Sequence, residues 1–490
     1  MARRVEIQRE RTLDDHEQVA HLAPAVQALR EEARRLVPRL DDRTIWMVNS
    51  TSRGGGVAEM LPGLMGVLRD LGVDVEWLVV ESDRPAFFPL TKRIHNLVHG
   101  EGDPDVGAED RDLYEAVNRA NAREMAEEIR PGDVVVAHDP QPMALPGMLR
   151  EEMDVRAVWR CHIGLDEENR ATRSVWRFLE PYADGYDRAV FSAPEYIPDY
   201  LAGRSTVIHP ALDPLTDKNR DLSLHKIVGT LVNARLARSP GPVMGSEFEA
   251  PARRLQPDGS FAPADRPDDI GLLQRPIVTQ VSRWDRLKGF APLLRAFARL
   301  KRGALEAAGP TSQHRRRREI VRLVLAGPDP ESVQDDPEAV AVLDELKAAY
   351  LDLEPAVRED IVLVSLPMRS RRENALMVNA LQRASTVVVQ NSLREGFGLT
   401  VTEAMWKGVP VLSNRRACGP RHQVRDDLDG RLVRNPEDAG ELAAVLDEML
   451  RHPTARDRWG RTAQRRAHDL FLVFTQAGAW LELLAEVCEG

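Results

Sequence analysis

Two basic side chains follow a short apolar run in the second half of the chain. In VSRWDRLKGF, Arg283 ends the predicted strand and Lys288 comes within a turn of it. Two fixed cations placed close together suit a diphosphate, whose charge otherwise requires a metal ion. Basic loop residues are more often simply solvated, so this motif alone leaves both interpretations open.

Two glutamates accompany a glycine-rich turn further along the chain. Glu395 and Glu403 are separated by seven residues, and Gly396 and Gly398 precede a predicted helix that begins near Thr400. One carboxylate therefore lies on a loop and the other on a helix, unlike the two facing acids that a hydrolase requires. The arrangement fits hydroxyl recognition, with Glu395 toward a sugar and Glu403 toward a ribose. The alternative is a glutamate that only interacts with the helix dipole.

A second glycine-rich turn lies in the first half of the chain, where NSTSRGGGVAE follows a predicted strand and opens a helix. Glycines there let backbone amides approach an anion at the helix N-terminus, although a plain tight turn is also compatible. Glu59 stands where the third glycine of a G-x-G-x-x-G fingerprint is needed, which disfavours a nicotinamide oxidoreductase. Pro62 is expected to kink the helix or to delay its start.

Polar side chains also end two predicted strands in HDPQP and WRCHIG. A single histidine is more often structural than catalytic. His138, Asp139 and His162 are all predicted at the same edge of one sheet, and this grouping favours a binding or catalytic role.

The elements that position these residues are short apolar runs alternating with helical stretches. This alternation predicts parallel sheets covered on both faces, in two doubly wound modules. Ligands bind at the carboxyl ends of such strands, where the polar residues lie. The predicted strands are 44–50, 75–82, 133–139, 155–162, 187–193, 276–283, 321–327, 360–366, 385–392 and 409–414.

A chain of 490 residues is too long for one hydrophobic core, so more than one domain is expected. We predict an N-terminal Rossmann-like domain over 1–213 and a C-terminal Rossmann-like domain over 273–465. Residues 214–272 are rich in Pro, Gly and charge and are interpreted as an irregular linker and insertion. A C-terminal helix within 466–490 is expected to pack back on the first domain.

The net charge of −10 argues against nucleic acid or an anionic membrane as the main partner. No run approaches the roughly 20 apolar residues of a membrane span, and the charged N-terminus lacks a signal-peptide core, so a cytoplasmic location is predicted. The three cysteines imply neither disulfides nor a zinc site. Two Asp-x-Asp triplets, Asp103–Asp105 and Asp427–Asp429, are interpreted as surface features, and no metal is assigned.

Several segments resemble the retaining glycosyltransferases of the GT-B fold, family 4, which include sucrose and glycogen synthases. The finer resemblance is to the trehalose synthase (glycosyltransferring) branch and to trehalose phosphorylase, over nearly the whole chain except 220–270 and parts of 300–320. The matching segments are VNSTSRGGGVAEML, HDPQPMAL, WRCHIG, IHPALDPLTDKN, QVSRWDRLKGF and NSLREGFGLTVTEAMWKGVPV.

This resemblance implies two Rossmann-like domains facing a central cleft, with glucose transferred from a nucleoside-diphosphate-glucose to a sugar acceptor. It implies no tightly bound cofactor and no strict need for a metal. The implied catalytic residues are His162, Arg283, Lys288 and Glu395. The implied donor-binding residues are Gly55, Gly56, Arg283, Lys288, Met368, Glu395, Gly396, Phe397, Gly398, Leu399, Thr400 and Glu403. The implied acceptor-binding residues are Asn49, Asp139, Gln141, Arg160 and His162.

One segment departs from the resemblance. After VPVLSN the trehalose-forming relatives usually continue with a Gly-Gly-Ile-Pro-Leu-Gln type segment, whereas this chain has RRACGPRHQV. Glucose is the expected acceptor, which would give trehalose, but phosphorolysis of trehalose and transfer to another acceptor remain alternatives. A non-catalytic sugar- or nucleotide-binding protein is the minority alternative. The expected partners are small-molecule sugars and a nucleotide; the nucleotide base, a homodimer and the role of the insertion are left open.

Overall fold

The computed structural model describes residues 3–7, 11–52, 56–263, 270–305, 312–330 and 338–489. The chain divides into two compact units. The first contains residues 1–213 together with 470–490, and the second contains residues 214–469.

The first unit is built on a seven-stranded sheet with the order β1-β3-β2-β4-β5-β6-β7. Its strands are β1 (Arg3–Arg4), β2 (Ile45–Asn49), β3 (Val75–Val79), β4 (Val134–His138), β5 (Arg156–Cys161), β6 (Arg188–Phe191) and β7 (Ser205–Val207). All neighbours are parallel except the short β1, which is antiparallel to β3. The five strands predicted in this half are confirmed. Their near-continuous apolar residues are buried because helices cover both faces of a parallel sheet.

Among its described residues, the first unit has seven α-helices that precede the second unit in the chain. They are α1 (Leu13–Glu17), α2 (Ala23–Leu36), α3 (Gly56–Asp70), α4 (Phe87–Val98), α5 (Ala108–Met125), α6 (Leu145–Arg150) and α7 (Arg170–Leu179). Pro62 lies inside α3, so of the two expected effects the delayed start does not occur, and a kink stays a prediction. Proline removes one intrahelical hydrogen bond, but the burial of Leu61, Leu64 and Leu68 stabilises the helix on both sides of it.

The second unit has an eight-stranded sheet with the order β15-β14-β13-β10-β11-β12-β8-β9. Its strands are β8 (Arg253–Leu255), β9 (Phe261–Pro263), β10 (Ile277–Val281), β11 (Arg322–Pro328), β12 (Ile361–Leu366), β13 (Val387–Val389), β14 (Val411–Asn414) and β15 (Gly430–Val433). Strands β10 to β15 are parallel, and the β8–β9 hairpin pairs antiparallel with β12. The five strands predicted here are confirmed.

Helices cover both faces of this sheet. They are α8 (Leu224–Asn233), α9 (Phe290–Leu305), α10 (Gln313–Ile320), α11 (Glu338–Leu351), α12 (Pro355–Arg358), α13 (Arg371–Arg383), α14 (Leu399–Trp406), α15 (Cys418–Gln423), α16 (Ala439–Arg451) and α17 (Pro453–Leu470). Alternate residues of β11 enter two separate cores. Leu323 and Leu325 join the core that contains Phe297, while Val324 and Ala326 join the core that contains Leu231.

The segment expected to be an irregular linker and insertion is partly regular. It contains α8, which packs against α13, and the β8–β9 hairpin, whose Arg254 pairs with Val364 of β12. The sequence suggested a loop because Pro, Gly and charge dominate it, but Leu231 of α8 and Leu255 of β8 are buried in the two cores. These apolar anchors give the segment a fixed place in the second unit.

The C-terminal helix expected at 466–490 comprises the end of α17 and a separate helix, α18 (Val473–Glu489). The break between α17 and α18 lies where the backbone of Leu212 forms two hydrogen bonds. The N–H of Leu212 donates to Phe471 O at 2.9 Å, and its carbonyl accepts from Val473 N at 3.0 Å. Helix α18 then packs on α2 and α3 of the first unit. No helix in the described ranges is long and apolar enough to cross a bilayer.

Candidate functional site

An ion pair joins two of the predicted site residues beyond the carboxyl ends of β10 and β13, which are neighbouring strands. Lys288 ends a short 3-10 turn after β10, and its Nζ lies 2.7 Å from Oε2 of Glu395. The two side chains are only 15% and 14% exposed. Such a half-buried pair is less screened by solvent than a surface pair, so its cation is held in a defined position.

Glu395 is surrounded by further donors. Ser392 Oγ donates to its Oε2 at 2.9 Å and Gln390 Nε2 at 3.3 Å. Burial alone would raise the pKa of Glu395, but the charge and hydrogen bond of Lys288, with help from Ser392 and Arg283, hold this pKa below its ordinary value. Glu395 is therefore an ionised acceptor at neutral pH.

The structure places Arg283 close enough to Glu395 for its positive charge to lower the pKa of that carboxyl. Arg283 itself is exposed and follows the end of β10 by two residues. Arg283, Lys288 and Glu395 are thus brought together at one edge of the second sheet. Ser392 and Gln390 were not predicted, although the apolar run 385–392 ends with them.

A tight loop connects Glu395 to α14, which begins at Leu399, one residue before the expected start. Gly398 has a φ of 86°, a left-handed conformation that favours glycine, and a Cβ there would lie 2.9 Å from Cγ of Glu395. Leu399 and Thr400 form the first turn of α14, where backbone N–H groups carry the positive end of the helix dipole. The loop thus presents a helix N-terminus beside Glu395, a place suited to an anion.

The backbone of this loop forms hydrogen bonds with residues 415–424, the segment in which the sequence departs from the resemblance. Gln423 Nε2 donates to the carbonyls of Phe397 at 2.5 Å and Gly398 at 3.4 Å. Its Oε1 accepts from Thr402 Oγ1 at 2.6 Å, and Gly419 N donates to Glu395 O at 3.2 Å. The backbone of Glu395, Phe397 and Gly398 is therefore held by α15.

Glu403 lies one turn further along α14 and is buried, with 6% of its surface exposed. Its carboxylate accepts from Gln382 Nε2 at 3.3 Å and lies 3.5 Å from Nζ of Lys218. Lys407 is also buried, and its Nζ donates to the backbone carbonyl of Glu403 at 3.3 Å. Sequence motifs did not indicate these partners; the only signals were Lys218 in IHPALDPLTDKN and Lys407 four residues after Glu403.

Burial lowers the pKa of Lys407 to about 7, against the opposing effect of Glu403 and with the help of Arg383 and Lys218. Between pH 7 and 10.5 the Lys407 amine therefore holds its proton more tightly in the unfolded chain than in the folded one. Raising the pH removes this preference for the unfolded chain, so the free energy of unfolding increases. Raising the pH from 7 to about 9 should stabilise the wild type relative to Lys407→Met by roughly 2 kcal/mol. Unfolding midpoints of both proteins at the two pH values measure this difference. An identical pH response in the two proteins contradicts it.

Met368 follows β12 by two residues and is 36% exposed. It lines a cavity at the carboxyl ends of β11 and β12 together with Pro367 and Asp329. The backbone of this loop is thereby accessible to a ligand bound in the second unit.

In the first unit, two histidines end neighbouring strands. Nδ1 of His138 lies 3.0 Å from Nε2 of His162, and the two rings are stacked with centroids 5.3 Å apart. Burial and the nearby charge of Arg160 lower the pKa of His138 to about 3 and lower that of His162 as well. Both rings are therefore neutral at physiological pH. Nδ1 of His162 is buried and has no hydrogen-bond partner among the described residues.

Asp139 directly follows His138 in the chain and has an unusual backbone conformation. Its φ is 64°, and its Oδ1 accepts from the backbone N–H of His162 at 2.8 Å. Burial raises the pKa of Asp139 to about 6, although the His162 hydrogen bond and the charge of Arg160 oppose this. Arg160 donates to Ser192 Oγ at 3.3 Å, while its Nη1 and Oε1 of Gln141 are buried and unpaired within the described part of the chain. Burying such atoms unpaired is costly, and they are the atoms of this cluster that can still form hydrogen bonds.

Asn49 is buried, and both ends of its amide have protein partners. Its Nδ2 donates to Thr51 O at 2.7 Å, and its Oδ1 accepts from Trp77 Nε1 at 2.9 Å. Asn49 thus holds the turn after β2. Gly56 is the first residue of α3 and has open space where a Cβ would lie. Gly55 lies outside the described residues.

One carboxylate of each Asp-x-Asp triplet has a partner described below, and the interpretation of these triplets as surface features is wrong for the buried Asp429. Asp103 Oδ1 accepts from Asp105 N at 3.1 Å. Asp429 is fully buried and accepts two hydrogen bonds from the Arg425 guanidinium, at 2.7 and 2.9 Å. Asp429 is therefore neutralised by an arginine.

Comparison with known proteins identifies the family of this chain. A family model described as "Trehalose synthase, N-terminal domain" matches residues 47–198, and "Glycosyl transferases group 1" matches 370–466. The trehalose synthase of Pyrococcus horikoshii is 32% identical over 476 residues, which cover 97% of this chain and 96% of that protein. The chain belongs to the trehalose synthase family.

This member of the trehalose synthase family is also related to trehalose phosphorylase. The enzyme of Pleurotus pulmonarius is 26% identical over 462 residues, covering 91% of this chain and 57% of that protein. Among solved structures, an α,α-trehalose-phosphate synthase (UDP-forming) from Burkholderia xenovorans in complex with glucose-6-phosphate matches with a TM-score of 0.62. It is 16% identical and covers 91% of this chain and 100% of that chain.

The fold is therefore GT-B, built from two Rossmann-like units, as predicted. The chain is a glycosyltransferase, and its function is glucosyl transfer in trehalose metabolism.

Proposed function

We propose that this trehalose synthase family member transfers glucose, with retention of configuration, from a nucleoside-diphosphate-glucose to glucose, forming α,α-trehalose. The observation that carries the proposal is the Lys288–Glu395 pair, held beside Arg283 at the N-terminus of α14. Two cations and a helix N-terminus suit an anionic leaving group, and an adjacent ionised carboxylate suits sugar hydroxyls.

In the proposed reaction, the bond between C1 of glucose and the diphosphate oxygen breaks, and the electron pair leaves with the diphosphate. Arg283, Lys288 and the first turn of α14 stabilise the charge that develops there. Glu395 accepts hydrogen bonds from the transferred glucose, and Glu403 accepts them from the ribose. The acceptor hydroxyl attacks C1 on the same face, and its proton passes to the departing phosphate oxygen. No side-chain nucleophile takes part.

For the acceptor side we propose Asp139, Gln141, Arg160 and His162. The unpaired buried atoms of Gln141, Arg160 and His162 offer both donors and acceptors, as a polyhydroxylated ring requires. Neutral His162 fits hydroxyl binding, since it neither repels an oxocarbenium-like sugar nor needs a counterion. Asn49, whose amide is already paired, acts in this proposal by holding the turn.

Phosphorolysis is the second candidate, because the relatives include trehalose phosphorylase and the same cations could bind inorganic phosphate. Incubation with trehalose and phosphate is compared with incubation with trehalose and a nucleoside diphosphate. Glucose 1-phosphate formed in the first mixture alone supports phosphorolysis. Nucleotide-glucose formed in the second mixture alone supports the proposed transfer.

Asp139 should give the pH–rate profile of the reaction an acidic limb. Its carboxylate must be ionised to accept hydrogen bonds from the acceptor, so kcat/KM should fall as the pH drops through about 6. This raised pKa makes the folded state bind a proton more tightly between pH 3.8 and about 6, so protonation of Asp139 does not itself favour unfolding there. Asp139→Asn should have lower kcat/KM and lack this limb in a pH–rate profile. A variant that keeps the same limb contradicts the assignment.

A further inference from the structure

The loop that carries Asp139 and Gln141 depends on other elements for its hydrogen bonds. It runs over residues 139–143, between β4 and α6, and is largely buried. Pro140 and Pro142 have no backbone N–H, so neither can donate to a turn within the loop. A buried carbonyl without a donor is costly, so the carbonyls of this loop need donors from outside it.

Three hydrogen bonds from β5 and the residue after it hold Asp139, whose φ of 64° is rare for a residue with a side chain. The N–H of Asp139 donates to Arg160 O at 2.7 Å, and its Oδ1 accepts from His162 N at 2.8 Å. The carbonyl of Asp139 accepts from Trp159 Nε1 at 2.9 Å. Such a backbone conformation persists only where the surrounding structure holds it.

Two side chains of α5 donate to the next two carbonyls of the loop. Tyr114 Oη donates to Pro140 O at 2.5 Å, and Asn118 Nδ2 donates to Gln141 O at 3.2 Å. Tyr114 and Asn118 are four residues apart, so they lie on the same face of α5, and both are fully buried. Together with Trp159, they supply a donor to the carbonyls of three consecutive residues.

We infer that Trp159, Tyr114 and Asn118 are positioning residues for the acceptor sugar, because they hold the loop in the conformation that presents Asp139 and Gln141. None of the three touches the sugar in this account. The inference rests on the proposed function, in which Asp139 and Gln141 bind the acceptor. A loop that is only partly in its binding conformation lowers the apparent affinity for the acceptor by that fraction.

Trp159→Phe and Tyr114→Phe each remove one donor, keep an aromatic ring in the core and test this inference. Trehalose formation is measured with glucose and ADP-, GDP- or UDP-glucose. The KM for glucose should rise about three- to tenfold, the usual effect of losing one hydrogen bond. The kcat should change less than about twofold, because saturating glucose restores the binding conformation. Calorimetric affinities for ADP, GDP and UDP should be unchanged, since the loop carries none of the proposed donor-binding residues.

The pH–rate profile separates a positioning role from a general loss of stability. Burial raises the pKa of Asp139 to about 6. A loosened loop admits water to this carboxylate, and its pKa then falls toward the ordinary value. The acidic limb of kcat/KM in Trp159→Phe should therefore move to lower pH than in the wild type.

Trp46→Phe is the matched control. Trp46 is also buried in the first sheet, and its Nε1 donates to Asp133 Oδ2 at 2.8 Å, before the start of β4 rather than after its end. The control also loses one indole donor from the core, so it should be destabilised in denaturant unfolding as Trp159→Phe is. Its KM for glucose and its acidic limb should remain those of the wild type.

Tyr114→Phe, which loses a single oxygen atom, decides the test if circular dichroism shows Trp159→Phe misfolded. An unchanged KM for glucose in a folded variant, or an equal rise in Trp46→Phe, overturns the inference and leaves the proposed function standing. A wild type that forms no trehalose from glucose with any of the three nucleotide-glucose donors overturns the proposed function, and the inference with it.

Discussion

Lys288→Ala is expected to lower the rate of glucosyl transfer by about 10²–10³-fold, the usual effect of removing one preorganised electrostatic contact. The substitution removes a cation that would oppose the charge developing on the diphosphate. It also leaves the Glu395 carboxylate, only 14% exposed, without its 2.7 Å partner. The loss should appear in kcat more than in KM, because the charge on the leaving group is greatest in the transition state.

Arg286→Ala is the matched control for this prediction. Arg286 lies in the same 3-10 turn, carries the same charge and pairs with Glu345 at the surface. Its removal should change the rate less than about twofold, since exposed ion pairs contribute little. Equal turnover in Lys288→Ala and the wild type would refute the role of Lys288, and an equal loss in both variants would indicate a general effect of charge.

Gly419→Ala is expected to destabilise the second unit and to weaken donor binding. A Cβ at residue 419 would lie 2.2 Å from the carbonyl oxygen and 2.3 Å from Cα of Phe397, so backbone must move. Overpacking of this kind costs about 1–3 kcal/mol in the free energy of unfolding. Because Gly419 N also bonds to Glu395 O, the displacement reaches the loop that carries the Glu395 carboxylate.

Denaturant unfolding and nucleotide titration measure the two effects of Gly419→Ala. The control is Gly303→Ala in α9, where a Cβ would meet only the end of the Arg318 side chain at 3.0 Å. Alanine is preferred over glycine within a helix by about 1 kcal/mol, so this control should be neutral or stabilising. A Gly419→Ala protein as stable as the wild type would show that the α15 contact does not fix the loop.

The sequence predicted the central strands well and the edges poorly. All ten predicted strands are present because continuous Val, Ile and Leu runs such as DVVVAHD can only be buried in a covered parallel sheet. Strands β8 and β9 escaped prediction because each has three residues and follows Pro- and charge-rich sequence. These strands form because β8 pairs with β12, and this contact between residues far apart in the sequence is not contained in any local pattern.

The candidate site was predictable where motif and strand end coincide. Lys288 and Glu395 are 107 residues apart and still meet, because β10 and β13 are neighbours and both residues lie beyond the carboxyl ends of these strands. Lys218 and Gln382 around Glu403 were not predictable, since polar side chains on helices and loops are usually solvated. The contact of Gln423 with the carbonyl of Phe397 was not predictable either, because it joins residues 26 positions apart that no motif links.

The most direct test of the account is the anomeric configuration of the product. Nucleoside-diphosphate-[1-¹³C]glucose is mixed with unlabelled glucose and the enzyme, and the labelled carbon is followed by NMR. The account predicts α,α-linked trehalose labelled in one ring, with one nucleoside diphosphate released for each bond formed. A β-configured linkage, or hydrolysis to free glucose without transfer, would contradict it.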